Sequence, residues 1–160
     1  MSKIHIRKAI KKDSALILRF INELAKYEKA AFEVKVTIED IQKTIFGTNT
    51  TVHALICDND EEPIGFAVYF YNYSTWLGKN GLYLEDLLVS HDYRGKGAGK
   101  ALMKHLAKIA VSENCCRFEW SVLDWNEPAI KFYESFSAKS QSEWITYRLE
   151  DDALRDFAEG

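Results

Sequence analysis

The sequence predicts an α/β fold, with a mostly antiparallel first half and a strand–helix–strand unit in the second. Three observations carry this. Three β-rich segments follow one another across short turns between Thr51 and Val89. The apolar spacing then switches to the helical period after a glycine-rich turn at 94–100. A further strand and a proline-opened helix come after it, and a crossover of that kind sets parallel strands side by side.

The elements follow in order. Lys3–Ala9 alternates, Ile4 and Ile6 against His5 and Arg7, and reads as a strand. Asp13 offers an N-cap to a helix whose face is Leu16, Ile17, Phe20, Ile21 and Leu24, ending between Tyr27 and Ala30. Thr37 and Asp40 form a capping-box pattern. Ile38, Ile41 and Ile45 follow on one face, and Gly47 closes that short helix. Thr51–Cys57, Ile64–Tyr73 and Gly81–Val89 are strands, joined through Asp58–Glu61 and Ser74–Asn80 as a meander. Leu102, Leu106 and Ile109 mark the buried face of a long helix, and Lys100, Lys104 and Lys108 its wet face. Arg117–Leu123 is a strand. Asn126 caps a short helix with Pro128 in its first turn and Tyr133 near its end. Trp144–Leu149 reads as a last strand and Asp151–Gly160 as a loose helix.

Composition bounds the function. The 160 residues give room for one domain with a real core, and no linker, repeat or low-complexity segment divides them, so 1–160 is expected to be a single domain. Hydrophobic residues make up 47% and charged residues 28%, an ordinary globular balance. The net charge of -3 argues against a nucleic-acid binder. No apolar run approaches the ~18 residues of a membrane span, and the first residues lack a signal-peptide core. A cytoplasmic protein without membrane contact is expected. Cys57 stands alone and Cys115 and Cys116 are adjacent, with no CxxC and no disulfide framework. His5, His53, His91 and His105 show no ligand spacing, so no metal is expected.

The chemistry-bearing segment is Tyr83–Val89, then Ser90–Tyr93, then Arg94-Gly95-Lys96-Gly97-Ala98-Gly99-Lys100. A strand runs into a glycine-rich turn that opens a helix. Glycines let backbone approach a phosphate, and the first N–H groups of a helix point at it. A P-loop would need Ser or Thr after Gly99-Lys100, where Ala101 stands, and a dinucleotide fingerprint would need glycine where Lys100 stands. On these residues alone, a glycine-rich turn without a ligand remains open.

Arg94-x-x-Gly97-x-Gly99 resembles the RxxGxG pattern of the GNAT superfamily of N-acetyltransferases, and Trp125–Tyr133 resembles its asparagine-to-tyrosine segment. The fold this implies is a twisted, mostly antiparallel sheet of about six or seven strands flanked by about four helices. Leu24-Ala25-Lys26-Tyr27-Glu28, Trp76-Leu77-Gly78-Lys79, Tyr83-Leu84-Glu85-Asp86 and Asp92-Tyr93-Arg94-Gly95 are similar to the spermidine/spermine (diamine) N-acetyltransferase family. That likeness runs from about Ile4 to Leu149. Ser74, two positions before Trp76, replaces an acidic residue of the polyamine enzymes. Tyr73–Trp76 and Val122–Asn126 look more like the thialysine N-epsilon-acetyltransferase branch. The turn Phe136-Ser137-Ala138 departs from the family, which has a glycine there.

The resemblance implies direct acetyl transfer from acetyl-CoA to a small primary amine, without a metal, by a homodimer. Arg94, Gly95, Lys96, Gly97, Ala98, Gly99, Lys100 and Asn126 would bind the cofactor, with Leu87, Leu88 and Val89 supplying backbone donors for the thioester carbonyl. An amine with a pKa near ~10.4 loses its proton at pH 7 at a cost of about 4.6 kcal/mol, so an acceptor is needed. Glu85, acting through water, is that acceptor by resemblance. Tyr133 would serve the leaving thiolate, although a core tyrosine is the commoner case for such a position. Tyr27, Glu28, Trp76, Glu85 and Trp144 would hold the cationic amine. The role of Asp86 is open. The alternatives are a non-catalytic acyl-CoA-binding module and an acetyltransferase acting on protein amines.

Overall fold

The computed structural model describes residues 3–160. These form two compact units, one running to Ser121 and the other spanning Val122–Gly160, and each is described by itself.

The first unit is a five-stranded sheet in the order β1 (Ile4–Lys8), β2 (Val52–Asn59), β3 (Glu62–Ser74), β4 (Lys79–Val89), β5 (Phe118–Trp120). The first four strands are antiparallel neighbours, as hairpin-length connections require, and β5 runs parallel to β4 after a helical crossover. Two helices, α1 (Ser14–Tyr27) and α2 (Ile38–Thr44), cover one face. Ile17, Phe20 and Leu24 of α1 and Ile41 of α2 pack on Ala54, Ile56, Phe66, Val68 and Leu88 of the sheet. The Phe20 and Phe66 rings stack at 5.5 Å between centroids. Leu55, Cys57 and Ala67, alternating with those residues, are buried on the other face. The third helix, α3 (Ala98–Ser112), packs on β4 and β1 and buries Leu102, Met103, Leu106 and Ala110.

Local signals explain most boundaries. The capping box at α2 forms: Asp40 N–H donates to Thr37 Oγ1 at 3.1 Å, and Thr37 N–H to the Asp40 carboxylate at 2.9 Å. Asp13 precedes α1 but makes no side-chain cap there. Its carboxylate instead accepts from Arg7 at 2.9 and 3.2 Å and from Ile10 N–H at 2.8 Å, because a guanidinium offers a charge-assisted pair that one backbone amide cannot match. Gly47 is not the helix terminator either. Helix α2 ends at Thr44, and a Cβ at Gly47 would meet the Lys43 carbonyl oxygen, so this glycine answers to space. Gly65 on β3 is likewise pressed against the Leu88 carbonyl oxygen.

The sheet holds five strands, fewer than six or seven. Of the predicted 117–123 strand only Phe118–Trp120 pairs, and Trp144–Leu149 is irregular. Alternation makes a strand only where another edge accepts its backbone groups. Trp144, Ile145 and Tyr147 instead lie 74%, 79% and 91% exposed.

The second unit holds α4 (Glu127–Glu134) and α5 (Asp151–Glu159). Asn126 caps α4, its side chain accepting from Ala129 N–H at 3.4 Å, with Pro128 in the first turn. Phe132, Tyr133 and Phe136 form an aromatic cluster at the end of α4, with centroids 5.3–6.3 Å apart. The chain then turns through Ser137 at φ +71°. A left-handed backbone thus stands at the turn where the sequence lacks a glycine.

Candidate active site

The glycine-rich turn opens α3 with backbone donors that could hold an anion. Gly97 is the N-cap of α3 at φ +90°, and a Cβ there would meet no atom within 4 Å. Its glycine therefore answers to the left-handed backbone conformation. No side chain caps α3, so its first-turn N–H groups remain available to a ligand. Arg94, Lys96 and Lys100 are exposed around the turn. This donor set fits the pyrophosphate of a nucleotide thioester.

Bracing of the turn comes from the strands beside it. His91–Tyr93 forms a single 3-10 turn. The Tyr93 hydroxyl donates to Glu62 at 2.6 Å, Lys96 lies over the Tyr93 ring at 5.5 Å, and Arg94 Nε donates to the Val89 carbonyl at 2.9 Å. The Arg94 guanidinium also stacks on Tyr27, its carbon 4.7 Å from the ring centroid. Glu23, one helical turn before Tyr27, accepts from the Ser90 hydroxyl at 3.3 Å.

Strand β4 leads into that turn. Its ladder with β5 covers only Leu82, Tyr83 and Leu84. Beyond Leu84, one edge of β4 has no neighbouring strand among the described residues, and the Val89 carbonyl is taken by Arg94. The pairing of β3 with β4 also slips at this point. Val68 faces Asp86 and Tyr69 faces Leu84, leaving Glu85 as the extra residue of a bulge. Glu85 is exposed, and Asp86 lies opposite Val68 on the face covered by α1.

That placement gathers carboxylates. Burial, with Glu85 and Glu28 adding their charge, pushes Asp86 up to about 6. Burial also raises Glu28 at the end of α1. Three acids from two elements thus share one electrostatic field, which suits a cation. Sequence alternation left the role of Asp86 open, since a one-residue bulge leaves no mark in apolar spacing.

The remaining predicted residues lie elsewhere. Trp76 is 90% exposed in the turn between β3 and β4. That turn precedes Lys79, from which Glu85 is about 20 Å further along β4 at ~3.4 Å per residue. Ser74 is buried, and its hydroxyl accepts from Leu77 N–H at 3.3 Å, which spends it on the turn. Asn126 and Tyr133 belong to the second unit: Asn126 is buried at the start of α4, and Tyr133 is half-buried in its aromatic cluster. Trp144 lies in the irregular stretch of that unit. Among the described residues there is no group of three or more His, Cys, Asp and Glu able to hold a metal, and no helix long and apolar enough to cross a membrane.

Comparison with known proteins gives a consistent picture. The sequence profile of the acetyltransferase (GNAT) family matches residues 18–137. A thialysine N-epsilon-acetyltransferase from Sus scrofa is 37% identical, with 99% of each chain covered. An L-ornithine N5-acetyltransferase from Arabidopsis thaliana is 45% identical over 97 residues, covering 61% of this chain and 42% of its own. Among solved structures, an integron cassette protein of V. cholerae superposes with a TM-score of 0.83 at 31% identity, covering 98% of both chains.

Proposed function

Because the chain belongs to the GNAT acetyltransferase family and is an N-acetyltransferase of small amines, we propose that it transfers the acetyl group of acetyl-CoA directly to a lysine-like primary amine, thialysine being the model acceptor. The observation that carries the acceptor assignment is the shared field of Glu28, Glu85 and Asp86 beside the open end of β4. Glu85 and Glu28 add negative charge to the partly buried Asp86, a surrounding that favours a cation, while Ser74 stands where the polyamine enzymes carry an acid.

Each residue has a part in this proposal. The N–H groups at the start of α3, with Gly95, Lys96, Gly97, Ala98, Gly99 and Lys100, hold the pyrophosphate, and Arg94 adds charge. Asn126 contributes on the cofactor side. Backbone donors among Leu87, Leu88 and Val89 stabilise the oxyanion that develops on the thioester carbonyl. The ammonium gives its proton to Glu85 through water. The free amine then attacks, the N–C bond forms and the C–S bond breaks. Tyr133 donates its hydroxyl proton to the departing sulfur, the acetylated nitrogen gives up its second proton, which reprotonates the Tyr133 phenolate through water, Glu85 returns its proton to solvent, and the products are the N-acetylamine and CoA thiol. Trp144 remains assigned to the amine, Trp76 lies too far along β4 from Glu85 to join it within one chain, and a cytoplasmic homodimer completes the proposal.

The test is thiol release from acetyl-CoA with thialysine, lysine, ornithine, putrescine, spermidine, spermine and a lysine peptide, on wild type and Tyr133→Phe. Turnover with thialysine or lysine, falling by about 10²–10⁴ in kcat for Tyr133→Phe, is the expected result. Preference for spermidine would overturn the Ser74 argument. CoA binding without turnover of any amine would make the chain a binding module.

A further inference from the structure

The sheet face that carries Asp86 runs on beyond the residues that α1 and α2 cover. On β3 this face presents Val68, Phe70 and Asn72, level with Asp86, Tyr83 and Gly81 of β4. On β5 it presents Glu119, level with Tyr83, and Arg117 stands just before that strand, its carbonyl accepting from Leu82 N–H at 3.0 Å. Gly81 is a notch in the face. A Cβ there would press on Asn72 Oδ1 and come 3.0 Å from Arg117 Cγ, so its absence lets both side chains close over β4.

Arg117 and Glu119 are held as a pair. Arg117 Nε donates to Glu119 Oε1 at 2.9 Å and Nη2 donates to the Tyr73 carbonyl at 3.2 Å. Asn72 Nδ2 donates to the same Glu119 oxygen at 3.3 Å. Of the five guanidinium N–H groups two are spent, which leaves three, with Glu119 Oε2, unpartnered among the described residues. The two side chains are 40% and 37% exposed.

A cation and an anion side by side complement the head of an α-amino acid. The acids Glu85 and Asp86 stand at the other end of the same face. Between the two ends the Phe70 and Tyr83 rings, 5.2 Å apart at their centroids, make an apolar floor. Four steps of β3 separate the level of Asp86 from that of Gly81, about 14 Å at ~3.4 Å per residue. An extended lysine spans about 7–8 Å from its terminal nitrogen to its carboxyl carbon, and a hydrogen bond of about 2.9 Å at each end brings its reach to about 13 Å.

We propose that Arg117 and Glu119 fix the amino-acid head of the acceptor: Arg117 takes the α-carboxylate, Glu119 the α-ammonium, and the stem lies over Phe70 and Tyr83 with its terminal nitrogen at the acids. The inference rests on the reading of the chain as acetylating a lysine-like amine. It makes the α-carboxylate the group that separates such an acceptor from a diamine, because a guanidinium forks onto a carboxylate and repels an ammonium.

The experiment is steady-state acetylation of thialysine and of bis(2-aminoethyl) sulfide, the same chain without its carboxylate, by the wild type, Arg117→Gln and Arg117→Lys. Arg117 is exposed, so its replacement leaves the core intact. Arg117→Gln is expected to raise the thialysine KM roughly ten- to hundredfold, the loss of a charge-assisted hydrogen bond, with kcat nearly unchanged. The KM values for the sulfide and for acetyl-CoA should not rise, and Arg117→Lys, which keeps the charge without the fork, should fall between. Thialysine amide on the wild type should show the same rise in KM, an arm that needs no variant. An Arg117→Gln loss shared equally by both amines, or a wild type indifferent to the carboxylate, overturns the proposal while amine acetylation stands. Wild-type protein that acetylates neither amine overturns both.

Discussion

Replacing Asp86 with asparagine should stabilise the protein at alkaline pH and change little in acid. Burial raises the Asp86 carboxyl from 3.8 to about 6, with Glu85 and Glu28 adding to the rise. A carboxyl whose folded value lies above its unfolded one favours the folded state fully below the unfolded value. That contribution is lost as pH rises through the folded one. For Asp86 the window runs from about 4 to about 6. The full difference, at about 1.36 kcal/mol per pH unit, comes to about 3 kcal/mol above that window. Asp86→Asn keeps the shape and removes the charge. Urea unfolding of both proteins at pH 4 and pH 8 should show the variant's relative stability growing by about 2 kcal/mol between them. The buried charge should also be relieved by a cationic acceptor. Thialysine should therefore raise the melting temperature of the wild type at pH 8 more than that of the variant. A stability difference that is the same at both pH values would refute the reasoning, because it would mean that Asp86 titrates as an ordinary surface carboxylate.

Two further expectations concern backbone conformation. Gly97→Ala introduces a Cβ into open space but at φ +90°, so it should cost about 1–2 kcal/mol of stability in thermal unfolding and weaken CoA binding. Ser137→Gly relieves a left-handed serine at φ +71° and should raise stability by up to about 1 kcal/mol, seen as a higher urea midpoint with an unchanged slope.

What could be read from the chain depended on whether the signal was local. The capping box at Thr37 and Asp40 and the Asn126 cap are written within four residues of the groups they satisfy, and both formed as predicted. The meander needed only short turns and alternation. The glycine-opened start of α3 was legible because it is written in consecutive residues of the RxxGxG turn. Features that depend on a distant partner were not legible. Asp13 has the residue type and position of an N-cap, yet Arg7 claims its carboxylate, aided by the neighbouring Asp58 on the same guanidinium. Trp144–Leu149 alternates like a strand, but a strand also needs an edge to pair with, and no residue of that segment reports one. The bulge at Glu85 turned Asp86 into part of the candidate site, and the only signal for it is the adjacency of two acids in an apolar strand. Tyr27 and Arg94 lie 67 residues apart, and their contact became visible only once β4 and α1 were placed.

Gly97 and Gly65 divide the chain's tolerance of sequence drift. Gly97 is bound to a backbone angle and has room around it. Elsewhere this chain already meets a left-handed angle with Asn49, Asp60 and Asn114, residue types that reach that region at modest cost. A change at Gly97 is therefore graded by its backbone cost, least for asparagine and more for alanine. Gly65 has no such latitude, since any side chain drives into the Leu88 carbonyl whatever its preferred angle. A glycine inside the sheet, in a position no cofactor motif includes, is the stricter marker of this architecture.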